Sequence, residues 1–187
     1  MKTLIVVSHP RRDSLTYAVA ETFAQGVVRR GHDVEWAHLA AEKFDPVLRE
    51  ADEPDWNHPD KQYSPEVRRE IQRIERNEAT VMVFPVWWWS LPGLLKGWID
   101  RVWNHGFAYG PRTYPHRRAW MIGVAGVSQS AYRAGNYETA IRTQWHAGIL
   151  EYCGIAEPRV ELLFGSMDGA ERVAEILENA AALAAEY

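Results

Sequence analysis

The chain has 187 residues, 47% of them hydrophobic and 25% charged, enough to bury a sizeable core in one globular domain. A formal net charge of −4 without clustered Lys/Arg argues against nucleic-acid binding or an anionic membrane surface. Cys153 is the only cysteine, which excludes a disulfide framework and a Cys-based zinc site, and the seven histidines show no pairing that would favour any metal.

Residues 3–8 form a β-branched, non-alternating apolar run, the pattern of a strand buried on both faces of a parallel sheet. That run is too brief for a signal peptide's hydrophobic segment, and no later run reaches the roughly 18 apolar residues of a membrane span. A soluble, cytoplasmic protein without direct membrane insertion is expected. From residue 14 to about 30, Leu15, Val19, Phe23 and Val27 recur every four positions, and Gly31 stops the helix. Residues 33–39 alternate more, as a strand nearer a sheet edge does. Residues 40–63 are polar, carry three prolines and show no period. A connection of that length is either a mobile surface loop or one retained for function or an interface.

Ser64 and Pro65 open a helix with Val67, Ile71 and Ile74 on one face, and residues 79–84 read as the third buried strand. Pro92 stands near the start of the next helix, whose stripe Leu94, Leu95, Trp98, Ile99, Val102 and Trp103 ends at Asn104-His105-Gly106. Residues 119–127 predict a fourth strand. A fourth helix is predicted over 136–152, with Tyr137, Ile141, Trp145, Ile149 and Tyr152 in register. A fifth strand at 159–164 and a closing helix from about 168 to 186 complete the chain. No repeat or second-domain linker interrupts it, so residues 1–187 read as one domain.

Strands alternating with helices predict an α/β fold, a three-layer doubly wound five-stranded parallel sheet, because parallel neighbours need crossover helices on both faces. Ligands of such sheets lie beyond the carboxyl ends of the strands, where strand order reverses. In the flavodoxin-like order 2-1-3-4-5 that point falls between the first and third strands, which directs attention to the loops at 9–16, 85–91 and 125–136.

The first of these, from His9 to Thr16, joins a buried strand to a helix N-terminus, where unpaired amides and the helix dipole attract a phosphate. Ser14 and Thr16 add hydroxyls, and His9 and Arg12 add charge or donors, without the glycine fingerprint of a Rossmann motif or P-loop. The same residues also suit a plain helix cap on Asp13 or Ser14. In the second loop Trp87, Trp88 and Trp89 stand in a row between Pro85 and Pro92, and adjacent side chains cannot all face one way. Their rings divide between core and a dimer interface, or their backbone lies along a flat redox heterocycle. In the third loop Gly126 permits close approach of a ring system. Tyr132 there is either a hydrogen-bond donor toward a redox ring or a solvent-tipped structural tyrosine.

These motifs resemble the NAD(P)H:quinone oxidoreductases of the flavodoxin-like fold, a group spanning quinone reductases, modulator-of-drug-activity-type proteins and ancillary subunits of potassium efflux systems. The resemblance covers nearly the whole chain. It is carried by LIVVSHPRRDSLT at 4–16, SPEV at 64–67, FPVWWWSLPGLLKGWIDRVWNHGFAYG at 84–110 and CGI at 153–155. It implies flavin phosphate contacts from His9, Ser14, Leu15 and Thr16, and an isoalloxazine site on Pro85, Val86, Trp87, Trp88 and Trp89. It further implies that Phe107 and Tyr109 form a substrate wall across a homodimer and that Tyr132 assists hydride transfer. FAD is the implied cofactor, with FMN as the other choice, NAD(P)H the co-substrate and a quinone-like small molecule the acceptor in a ping-pong reaction. The alternative within the group is a regulatory flavoprotein subunit of a membrane transporter with residual oxidoreductase activity. Two features depart from the family pattern: Val124-Ala125-Gly126-Val127 replaces Thr-Thr-Gly-Gly, and the accompanying histidine position falls near Glu138.

Overall fold

A computed structural model describes residues 1–187. Five parallel strands, β1 (Lys2–Val7), β2 (Asp33–His38), β3 (Ala79–Val86), β4 (Arg118–Ala125) and β5 (Glu157–Leu163), form one sheet in the order β2-β1-β3-β4-β5. The flavodoxin-like order expected from the sequence is therefore the observed one. Alternate residues of each strand feed opposite layers, because side chains in a strand point to opposite faces. Leu4 and Val6 join one core with Phe84, Trp98 and Trp145, while Ile5 and Val7 join another with Phe23, Ile176 and Ala184. Fully burying a side chain of this size contributes about 1.5–3 kcal/mol, so the two cores together hold the three layers in place.

Helix α1 (Leu15–Arg29) starts at Ser14, whose Oγ accepts the Tyr17 amide at 3.4 Å, and packs beside α6 (Ala170–Glu186) on one face. Helices α2 (Pro65–Glu75) and α3 (Gly93–Val102) cover the other face. The connection at 40–63 is pinned rather than loose. Asp52 and Arg101 are both almost wholly buried and paired at 2.7 Å; Arg101 also meets Glu66 at 2.6 Å, and Asn104 donates to the Asp52 carbonyl at 2.7 Å. Within that connection only residues 50–52 form a helical turn.

The structure departs from the sequence reading in three places. Strand β3 runs on to Val86, so Pro85 and Val86 belong to the sheet, paired with Val124 and Ala125 of β4. Pro85 is tolerated there because the pairing with β1 ends at Val83, so its missing N–H breaks no ladder bond. Strand β4 spans Arg118–Ala125, not 119–127, and the supposed loop after it contains α4 (Gln129–Ala134), capped by Ser128 Oγ. The single helix expected over 136–152 is instead α5 (Tyr137–Arg142) followed by a π-helical segment, Thr143–Glu151. Ile141 is buried from α5, and the wider turn buries Trp145 and Leu150 and leaves Tyr152 exposed, because each π turn consumes more residues than the α period assumed.

Candidate active site

The carboxyl edge of the sheet is built by four loops. After β1, Ser14 caps α1 and leaves the amides of Leu15 and Thr16 without a partner in the chain, pointing out of the helix N-terminus. The cap and the anion-binding reading of this loop are thus compatible. The Leu15 side chain packs toward the α1–α6 core, so what it offers the site is its amide. His9 Nδ1 stands 3.1 Å from both the amide nitrogen and the carbonyl oxygen of Arg11, and burial pulls the ring's pKa below the usual histidine value. His9 is therefore neutral near pH 7, with Nε2 unpartnered in the chain.

Arg12 turns aside from this corner. Its guanidinium lies 5.2 Å over the Tyr17 ring, with Nη1 3.3 Å from His38 Nε2 at the end of β2. His38, itself stacked on Trp36 at 5.2 Å, was not singled out from the sequence. Only its place at a strand's carboxyl end could have marked it.

After β3 the chain makes a two-residue hairpin: Trp87 and Ser90 exchange both backbone hydrogen bonds, at 3.2 and 3.0 Å. Trp88 and Trp89 at its tip both have φ of +52°, in the left-handed region that bulky side chains avoid. The hairpin turns their amides away from any partner in the chain. Trp87, Trp88 and Trp89 are 47%, 88% and 39% exposed, so the three rings are not absorbed by the core. The Trp87 and His9 rings approach to 6.0 Å, which places the hairpin beside the first loop.

After β4, Gly126 faces Met167 of the fourth loop; a Cβ on this glycine would lie 3.1 Å from the Met167 Sδ. Gly165, Ser166 and Met167 donate their amides to Val127, Ala125 and Gly126 at 3.0, 3.0 and 3.1 Å, tying the β5 loop to the β4 loop. Met167 is 80% exposed at this edge. Its loop follows a strand's carboxyl end like the other three, a signal the sequence offered and the choice of three loops passed over.

Tyr132, on α4, is only 3% exposed and faces a slot of about 160 Å³ with Val86, Trp88, Trp89, Gly126 and Val127. Burial alone pushes its hydroxyl pKa up, so the phenol keeps its proton and remains a donor. Glu138 is bound by Gln129, Arg133 and Arg142 at 3.2–3.5 Å. Burial alone would raise its pKa, but these partners outweigh that and hold it below the usual carboxylate value. Glu138 is thus an ionised, engaged group and not a proton donor.

Phe107 and Tyr109 are not brought to this corner within one chain. Phe107 packs on Tyr114, whose hydroxyl meets Thr80 at the start of β3. The tryptophan hairpin follows the other end of that strand, roughly 20 Å away at strand rise. Tyr109 lies against Trp56, His105 and Tyr152.

Free amides at a helix start, a strained aromatic hairpin and a parallel sheet of this order define a flavodoxin-like protein, and the family profile described as flavodoxin-like fold matches residues 1–187. The uncharacterized NAD(P)H oxidoreductase YcaK of Escherichia coli is 36% identical over 170 residues, covering 89% of this chain and 86% of its own length. Guinea-pig (Cavia porcellus) NAD(P)H dehydrogenase [quinone] 1 is 27% identical over 88% of this chain and 68% of its own. The solved NAD(P)H:quinone oxidoreductase of Methanothermobacter marburgensis superposes with a TM-score of 0.91 at 26% identity, covering 100% of this chain and 96% of that one. The chain belongs to the flavodoxin-like NAD(P)H:quinone oxidoreductase family and is classed among its flavoenzymes. No helix is long and apolar enough to cross a membrane.

Proposed function

We propose that residues 1–187 act as one flavin-binding domain, in a cytoplasmic homodimer, that passes two electrons from NAD(P)H to a quinone-like acceptor by a ping-pong route. The observation that carries this reading is the convergence of two sets of unpartnered amides, Leu15 with Thr16 and Trp88 with Trp89, on one corner joined by His9 and Trp87. The first set, at the start of a 15-residue helix, suits a phosphate; the second, on an exposed aromatic hairpin, suits the polar edge of a flat heterocycle. These residues therefore fit a flavin, with Pro85 and Val86 fixing the hairpin's base and Gly126 allowing close approach from the β4 side.

When bound, the flavin supplies hydride acceptance from NAD(P)H and delivery of two electrons to the acceptor, for a balance of NAD(P)H, a proton and quinone giving NAD(P)⁺ and hydroquinone. The chain's part is binding, orientation and charge. His9 and the α1 amides hold the phosphate, with Ser14 fixing the helix start. The Trp88 and Trp89 amides would stabilise negative charge at the polar edge. The protonated Tyr132 hydroxyl donates into the slot. FAD would be the cofactor on this reading, with Arg12 available as a cation for its phosphates, and Phe107 and Tyr109 would wall the facing site of the second copy.

The test is reconstitution of the purified protein with FAD and with FMN, followed by NAD(P)H oxidation with and without a quinone. Stoichiometric flavin and quinone-dependent turnover with parallel double-reciprocal lines are expected. Failure to retain either flavin would remove the reading.

A further inference from the structure

An open cavity of about 500 Å³ lies beside Phe107, toward the end of β3 remote from the tryptophan hairpin, and no residue of the flavin corner lines it. Its walls come from three pieces of chain. Helix α2 turns Arg68, Ile71, Gln72 and Glu75 toward it, a spacing that puts all four on one helix face. The connection contributes Lys61 and Tyr63, and the segment after α3 contributes His105 and Arg112. These walls are locked together. The Tyr63 hydroxyl donates to the His105 carbonyl at 2.7 Å, and Gly106, at φ of +83°, lies so close to the connection that a Cβ there would stand 2.0 Å from the Pro59 carbonyl oxygen.

Lys61, Arg68 and Arg112 bring three positive charges to the cavity, and none of them forms an ion pair within the chain. Lys61 is nonetheless held in place: its Nζ donates to the carbonyls of Glu53 at 2.8 Å and Glu50 at 3.4 Å, and it lies 6.0 Å from the centre of the Tyr63 ring. One ammonium hydrogen is left for a ligand. Arg68 and Arg112 are exposed, and a guanidinium fork without a carboxylate partner suits a phosphate in two-point contact. Asp60 and Glu75 line the cavity unpaired as well, so it carries one net positive charge in a chain of net −4. Carboxylates beside such cations accept hydrogen bonds from an amino group like that of adenine, and Ile71 and Phe107 supply the apolar surface a base would cover.

We propose that this cavity binds the adenosine phosphate half of NAD(P)H while the nicotinamide lies over the flavin of the facing copy. The proposal rests on the redox reading above for that placement, in which Phe107 walls the facing site, and on the cavity alone for adenosine phosphate binding. It gives the connection at 40–63 a task beyond packing on α3, that of holding the donor by the half that takes no part in hydride transfer.

The experiment measures ADP binding by calorimetry on the flavin-free protein and on Arg68→Ala, Arg112→Ala and His9→Ala. Each arginine variant should lose about tenfold or more in affinity, as expected for hydrogen bonds to a charged group, while His9→Ala, in the flavin corner, should lose nothing. On the flavin-loaded protein the KM for NADPH or NADH should rise about tenfold in both arginine variants with kcat unchanged. N-benzyl-1,4-dihydronicotinamide, a hydride donor without phosphates, should keep its kcat/KM in both. Either arginine variant carries the test if the other does not fold. Wild-type protein that takes up no ADP overturns the proposal, as does an equal loss with both kinds of donor. A fall in FAD affinity with the KM for the donor unmoved also overturns it, because the cavity would then take the cofactor's adenosine phosphate. Wild-type protein that retains no flavin removes the redox reading, and the ADP titration then decides for or against the cavity by itself.

Discussion

The imidazole of His9 and the indole of Trp87 stand 6.0 Å apart, tilted by 56°, and this contact joins the helix-start amides to the tryptophan hairpin. With Nδ1 engaged by the Arg11 backbone, Nε2 is the ring atom left free. His9→Ala should weaken flavin binding by about tenfold or more, the worth of a hydrogen bond to a charged group. His9→Asn, which retains a donor, should recover part of that loss. Flavin fluorescence titrated with apoprotein measures both, and equal affinities in all three proteins would discard the role given to His9.

Trp88 holds a left-handed backbone with its ring 88% exposed, and in the proposed site its amide makes the contact. Trp88→Gly keeps that amide and removes a conformational cost of about 1 kcal/mol. The variant should unfold at equal or higher denaturant and bind flavin within about threefold of wild type, a spread well under one hydrogen bond. A large loss of flavin affinity would mean that the ring, not the amide, makes the contact.

Tyr132 lines the slot with its hydroxyl kept protonated by burial, and in the proposed reaction that hydroxyl is a donor. Tyr132→Phe removes only that oxygen. It should lower kcat about tenfold or more while leaving the flavin content unchanged, because one donor acting on charge in the transition state is being deleted. An unaltered kcat over the whole pH range would reassign Tyr132 to packing.

Far from the site, Glu35 on β2 is bound first by Arg76 and also by Lys2 and Asn77, and its pKa is drawn from 4.5 to about 2. The folded value lies below the unfolded one, so its stabilisation is complete above pH 4.5 and is lost as the pH falls toward 2. Glu35→Gln should cost about 2 kcal/mol at pH 7 after allowance for surface screening, and little at pH 2. Urea unfolding of both proteins at several pH values tests this; parallel curves would sink it.

The sheet was legible because β1 and β3 are continuous apolar runs, and a strand buried on both faces leaves that mark. The first and third loops were legible from Ser14, Thr16 and Gly126, whose chemistry is local. What the sequence hid was conformation that runs against propensity. Two tryptophans in left-handed backbone have no signature, since aromatic residues avoid that region. The four-residue spacing of Tyr137, Ile141, Trp145 and Ile149 suited an ordinary helix, whereas packing of Trp145 beneath Gly123 and Phe84 sits on a π turn. Tyr137 was read there as one residue of a core stripe, and its stack on Trp89 depends on a break at Gly135 and Asn136 that periodicity cannot reveal.

The three amide bonds from Gly165, Ser166 and Met167 to the β4 loop make two stretches of chain, some forty residues apart, into one mechanical part. A one-residue insertion or deletion within 164–169 would move Gly126 as directly as editing 125–128. The β5 loop is therefore a second handle on the position of Gly126, reached without editing any residue that lines the slot.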